Sequence, residues 1–209
     1  MTVHRMIRSA FAGAAVLFLL ALGAALRPLF VTETATPAPV LTTTELGFVQ
    51  DMTAHHQQAL ILTERLDPAA DPTVRRLADQ IADTQRVEIG TLLGWTQLAR
   101  AAPTADVPMT WMAGTYHHAP TSAHDTMPGM ATTVDLDALT AARGADAETR
   151  FLQLMYRHHA GGITMARAAD ALLTSGPVKQ AARAMAQSQS QELGYLGMLL
   201  DLRGARPTS

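Results

Sequence analysis

The sequence predicts an all-α fold: an antiparallel four-helix bundle built from a duplicated helical hairpin and preceded by an N-terminal membrane segment. Three observations carry this. Hydrophobic residues make up 48% of the 209 residues but aromatics only 5%, so Ala and Leu must fill the core, and both favour helix over strand. Apolar residues recur at three- and four-residue spacing in four long segments. Two of those segments share a pattern: Phe48-Val-Gln-Asp-Met52-Thr-Ala-His55-His56 aligns with Phe151-Leu-Gln-Leu-Met155-Tyr-Arg-His158-His159 at a constant offset of 103. Farther on, Gln85-Arg-Val-Glu88 aligns with Gln189-Ser-Gln-Glu192 at an offset of 104. Shared motifs in one order mark an internal duplication.

Residues 1–30 read as a signal peptide or membrane anchor. His4, Arg5 and Arg8 precede an apolar run from Ser9 to Leu26, the pattern of an export signal. The small-x-small sites fall inside the run rather than after it, which favours an uncleaved anchor over a cleaved, secreted form. Either way the remainder lies outside the cytoplasm, since positive charge stays inside. Residues 31–43, rich in Thr, Pro and Ala, read as a flexible tether.

Residues 44–203 form the folded part. In hairpin 44–100, Phe48, Met52, His55, Ala59 and Leu62 mark one helix, with Thr43 or Thr44 as cap and Glu45 in the first turn. Asp67-Pro68 and Asp71-Pro72 turn the chain. Val74, Leu77, Ile81, Thr84, Glu88, Leu92 and Trp95 mark the second helix. In hairpin 147–203, one helix runs from about Ala147 to Leu173 and breaks at Ser175-Gly176-Pro177. The last carries Val178, Ala181, Met185, Ser188, Glu192, Tyr195, Leu199 and Leu202. The connection 101–146 is long for a compact domain. It holds Met109, Met112, His117, His118, His124, Met127 and Met130, packing anchors at Trp111 and Tyr116, and a short helix capped by Thr132 or Thr133 and running through Leu139.

Composition removes several functions. The net charge of −2 leaves no basic footprint for nucleic acid. With no Cys, there is no disulfide, thiol nucleophile, iron–sulfur cluster or Cys-based zinc site. No nucleophile–base arrangement stands out, so the chain reads as a non-enzyme.

What remains is metal chemistry. Met52, His55 and His56 lie on one side of their helix, as do Met155, His158 and His159. If a pseudo-twofold axis relates the copies, the two sets converge. Imidazole suits copper, zinc and iron, and thioether favours Cu(I). Glu88 and Glu192, with Gln85 and Gln189 beside them, would either ligate directly or accept the second N–H of a ligating His. His117, His118, His124, Met127 and Met130 are accessory soft-ligand candidates. The competing readings are a metal-free helical interaction module, with the His residues in a structural polar network, and a ferritin-like oxidase. The latter needs four carboxylates and Glu-x-x-His motifs, which this chain lacks.

The combination of F-x-Q-x-M-x-x-H-H (48–56), Q-x-x-E (85–88), M-P-G-M (127–130), F-L-Q-L-M-Y-R-H-H-A-G-G-I-T-M-A (151–166) and Q-x-x-E (189–192) resembles the DUF305 family of exported bacterial proteins. The resemblance covers residues 44–203. It implies a ferritin-like helical bundle and, since some members are linked to copper binding and tolerance, a metal-buffering or transfer role without turnover. It places the metal at Met52, His55, His56, Met155, His158 and His159, with Gln85, Glu88, Gln189 and Glu192 as motif companions. Copper ranks ahead of zinc and iron. The partners implied are the metal ion and the membrane, and a homodimer is compatible. This chain departs from the family pattern at Ala160-Gly161-Gly162, where a bulkier or polar residue is usual, near Ile61-Leu62-Thr63, where a Met is missing, and at Ala131, where another Met is common.

Overall fold

The computed structural model describes residues 17–26, 39–112 and 127–208. The chain divides into two units, 1–38 and 39–209. In the first, 17–26 is helical (α1), with Leu17, Phe18, Leu19 and Leu20 exposed. The expected span Ser9–Leu26 begins outside the described residues. Among the described residues no helix is long and apolar enough to cross a membrane.

The second unit holds α2 (Thr43–Glu64), α3 (Pro72–Leu98), a 3₁₀ turn (Thr110–Met112), α4 (Thr133–Ala141), α5 (Gly144–Leu172) and α6 (Pro177–Leu202), with no strand among the described residues. The α2 cap is Thr42, not Thr43 or Thr44. Its hydroxyl accepts from Glu45 N at 3.2 Å and its N–H donates to Glu45 Oε2 at 2.8 Å. Three consecutive Thr residues offer three caps, and only Thr42 stands three residues before the Glu that closes a capping box. Of the expected tether, residues 31–38 lie outside the described residues, and Leu41 is buried among Phe48, Met52 and Met165. At α3, Asp71 accepts from Thr73 N at 2.7 Å and Pro72 fills the first turn. Thr132 caps α4 through a second box with Asp135. α5 begins three residues before the predicted Ala147.

The helices bury two apolar clusters. One gathers Leu62, Leu77, Ile81, Phe151, Met155 and Leu200. The other gathers Phe48, Met52, Leu92, Met165, Val178 and Met185. The order in which each helix visits them fixes its direction. α2 and α6 run from the second cluster to the first, and α3 and α5 run the opposite way. α2 packs along α3, α5 along α6, and α2 against α5, whereas α3 and α6 approach each other less closely. The α6 stripe differs from the expected one: Ala182, Gln189 and Leu196 are buried rather than Ala181, Ser188 and Tyr195, and Leu202 is 74% exposed. Gln189 supplies the reason. It is polar yet buried, which apolar periodicity cannot anticipate.

The motif's repeated Gln ties down the chain leaving each hairpin. Gln50 Nε2 donates to Ala102 O at 2.8 Å, just after α3, and Gln153 Nε2 donates to Arg206 O at 2.8 Å, just after α6. Beside the first tie, Asp51 Oδ2 accepts from Met109 N (2.6 Å) and Trp111 Nε1 (2.8 Å), while Trp111 meets Phe48 edge-on with centroids 5.5 Å apart. Trp111 is thus the packing anchor it was expected to be, and Tyr116 lies outside the described residues.

Candidate metal centre

A polar layer separates the two apolar clusters. His55, His56, His158 and His159 are fully buried in it, with Gln85, Gln189 and Glu192. The two copies meet there. The rings of His55 and His158 stack at 3.9 Å between centroids, tilted by 33°. The second His of each pair lies 6.3 and 6.2 Å from the first and turns away to the partner helix. His159 Nε2 donates to Glu192 Oε2 at 2.7 Å. His56 Nε2 lies 2.7 Å from Glu88 Oε2, an ion-pair distance without hydrogen-bond alignment. In both copies the Glu of the motif therefore stands beside the second His of the pair.

The inner pair breaks the symmetry. His158 Nε2 donates to the carbonyl of His55 at 3.0 Å. The equivalent bond from His55 goes instead to Pro128 O, at 3.1 Å. Pro128 belongs to a strap, Met127–Ala131, laid across α2 and α5. Ala131 exchanges two bonds with the Gln58 amide, at 2.9 and 2.6 Å. The strap fits because Gly161 has no side chain: a Cβ there would stand 1.9 Å from Pro128 O. Gly162 makes the same allowance for Gln189, whose Oε1 would lie 2.3 Å from an added Cβ. Position 161 corresponds to Gln58 in the first copy, so one copy receives the strap and the other fastens it.

These bonds set the chemistry of the rings. A carbonyl or carboxylate oxygen only accepts, so His55, His158 and His159 each carry a proton on Nε2, and in the inner pair His55 and His158 that leaves Nδ1 as a bare lone pair. The Nδ1 atoms of all four His residues are buried without a hydrogen-bond partner among the described residues, and so are both amide atoms of Gln85 and of Gln189. Buried polar groups left unsatisfied cost roughly 1–3 kcal/mol each. Burial holds the His55 imidazole down at about 3 and His158 well below its ordinary value, with the neighbouring imidazoles pushing the same way. The inner pair is neutral, the state in which imidazole ligates metal.

Met52 and Met155 are fully buried but on opposite sides of the layer, one in each apolar cluster. Among the described residues no three His, Asp or Glu side chains stand close enough to hold an ion by themselves. A fourfold imidazole cage is thus not what the chain presents. It presents a stacked pair of rings with two flanking His–carboxylate pairs. Met127 and Met130 lie on the strap and are half-buried. His117, His118 and His124 fall outside the described residues. Pro128, Gln58, Gly161 and Gly162 went unread as site residues. The strap works through a backbone carbonyl, which no residue type announces, and the signals were the M-P-G-M motif at 127–130 and the unusual Gly161-Gly162 inside a helix.

A family model described as a domain of unknown function, DUF305, matches residues 45–200. The crystal structure of a putative secreted DUF305 protein from Streptomyces coelicolor is 38% identical, covers 79% of this chain and 96% of its own, and gives a TM-score of 0.70. A DUF305 fragment from Deinococcus radiodurans is 30% identical, with 77% and 97% coverage and a TM-score of 0.63. CopM in its Cu(II)-bound form is 24% identical, with 75% and 95% coverage and a TM-score of 0.56, a likeness of fold. No curated protein matches the chain.

Proposed function

We propose that this chain, which belongs to the DUF305 family, is an extracytoplasmic copper-binding protein that buffers or passes on the ion without turnover. The four long helices serve as a ferritin-like bundle whose central layer is the site. One observation carries the reading: the Nδ1 atoms of four imidazoles are buried in one layer without a partner among the described residues, with an ordered acceptor behind the Nε2 of His55, His158 and His159. That is how a protein pre-sets the tautomer of ligating His. His55 and His158 would bind through Nδ1, with His56 and His159 beside them and the thioethers of Met52 and Met155 above and below. Glu88 and Glu192 would act as the acceptors that orient His56 and His159. Neutral imidazole and thioether suit Cu(I) better than hard cations.

Export is supported by the basic, then apolar N-terminus and by the secreted description of the Streptomyces relative. Copper is supported by the donor set, and by copper-bound forms of CopM, which shares this fold. The metal-free module is the second reading, favoured by the absence of three convergent His, Asp or Glu donors among the described residues.

Thermal unfolding of the protein, apo and with Cu(I), Cu(II), Zn(II) or Fe(II), tests it. A ligand that binds only the folded state stabilises it by ~2.7 kcal/mol at a hundredfold excess over Kd. Cu(I) should raise the midpoint most, and a His55→Ala/His158→Ala variant should lose that rise. No shift with any ion would leave the metal-free module standing.

A further inference from the structure

The polar layer is sealed along most of its perimeter. α2 lies along α3 and α5 along α6, and the strap Met127–Ala131 covers the seam between α2 and α5. The side between α3 and α6 is different. Those helices do not pack closely, and a cleft of about 240 Å³ lies between them. Gln80 and Thr84 line it from α3, and Ser188, Gln191, Glu192 and Tyr195 from α6. Its hydroxyls and amides stand beside Leu77 and the Tyr195 ring, Glu192 is the one charged group among the lining residues, and no Lys or Arg is among them. A water occupies about 30 Å³ of liquid, so the cleft admits a cation with part of its hydration shell.

We infer that copper enters and leaves the imidazole layer through the α3/α6 cleft, with Glu192 as the carboxylate that receives it. The inference rests on the copper-binding reading above. Glu192 is 7% exposed and lines the cleft, while its Oε2 lies 2.7 Å from His159 Nε2. It therefore lines the cleft and touches the ring behind it. One turn before it on α6, Gln189 carries an amide with both polar atoms buried and unpartnered among the described residues, seated against Gly162 beside the second His pair. An incoming ion thus meets hydroxyls, then a carboxylate, then unpartnered amide and imidazole groups, exchanging water for protein donors in steps. A single negative charge in a low-dielectric cleft also concentrates cations at its mouth.

Copper uptake by the full-length protein is followed by stopped flow with Cu(I) alone, beside equilibrium titration. Thr84→Phe and Ser188→Phe fill the cleft from its two walls. Both should slow association and dissociation by about tenfold or more while changing Kd by less than about threefold. Gln191→Lys, at an exposed position that leaves folding intact, should slow association by about tenfold at low salt, with the loss recovered at high salt. Unchanged rates in all three variants, with wild-type protein binding normally, would overturn the cleft route and leave the copper reading intact. Wild-type protein that takes up no copper would overturn both.

Discussion

Gly161 shows how one missing methyl group shapes the centre. In an exposed helix, Gly→Ala stabilises by roughly 1 kcal/mol, and Gly90→Ala in α3 should do so, since nothing lies within 4 Å of an added Cβ. Gly161→Ala should have the opposite sign. Its Cβ would meet the Pro128 carbonyl, which is backbone and cannot swing aside, so a destabilisation of ~1–3 kcal/mol by overpacking is expected. Chemical denaturation of both variants checks the pair, and equal signs would refute the seating of the strap. Gly162→Ala meets only the end of the Gln189 side chain, which can move. The His pairs themselves were legible because duplication exposed them, and so were the two Glu residues beside them. What was not legible is the partner of His55, because a carbonyl belongs to whichever residue the chain brings there.

At the scale of the element, hairpins and turn residues were readable from spacing, Asp-Pro pairs and the duplication. The caps were readable only to within a residue. Glu45 decides among three Thr residues, and the α2 start therefore makes its own prediction. Thr42→Ala should cost about 1 kcal/mol, the usual worth of an N-cap, while Thr43→Ala, inside the first turn, should change stability by only a few tenths. Urea midpoints of the two variants distinguish them, and a larger loss at Thr43 would misplace the cap. On α6, Val178, Met185, Glu192 and Leu199 are buried as expected, while Gln189 holds an inward position that hydrophobic periodicity passes over. Helices that carry a polar layer hide part of their buried face from pattern analysis in this way.

The whole molecule should register the neutral imidazole pair in its pH dependence. His55 and His158 titrate near 6.5 in an unfolded chain, and in the folded protein only at much lower pH, about 3 for His55. Below about 6.5 the unfolded chain therefore binds more protons, so their stabilisation is full above that pH and is lost as pH falls toward 3. Each contributes a slope of up to about 1.4 kcal/mol per pH unit. Asp67, Asp71, Asp135 and Asp170 are lowered by hydrogen bonds and arginine or lysine partners, so they act only below the usual carboxylate range. Asp51, raised by burial, opposes the histidines just above 3.8. The apo protein's thermal midpoint should fall between pH 7 and pH 5, and a flat profile would mean the rings are not held neutral. The strap has a consequence for the chain's history. It crosses a two-part layer only once, fastened by Gln58 on one side and admitted by Gly161 on the other. The halves are therefore no longer interchangeable. Copying the first hairpin's sequence over the second by gene conversion would keep every His, Gln and Glu of the motif, yet put a Gln side chain where the Pro128 carbonyl rests. Which copy comes first has become information that the repeat itself does not carry.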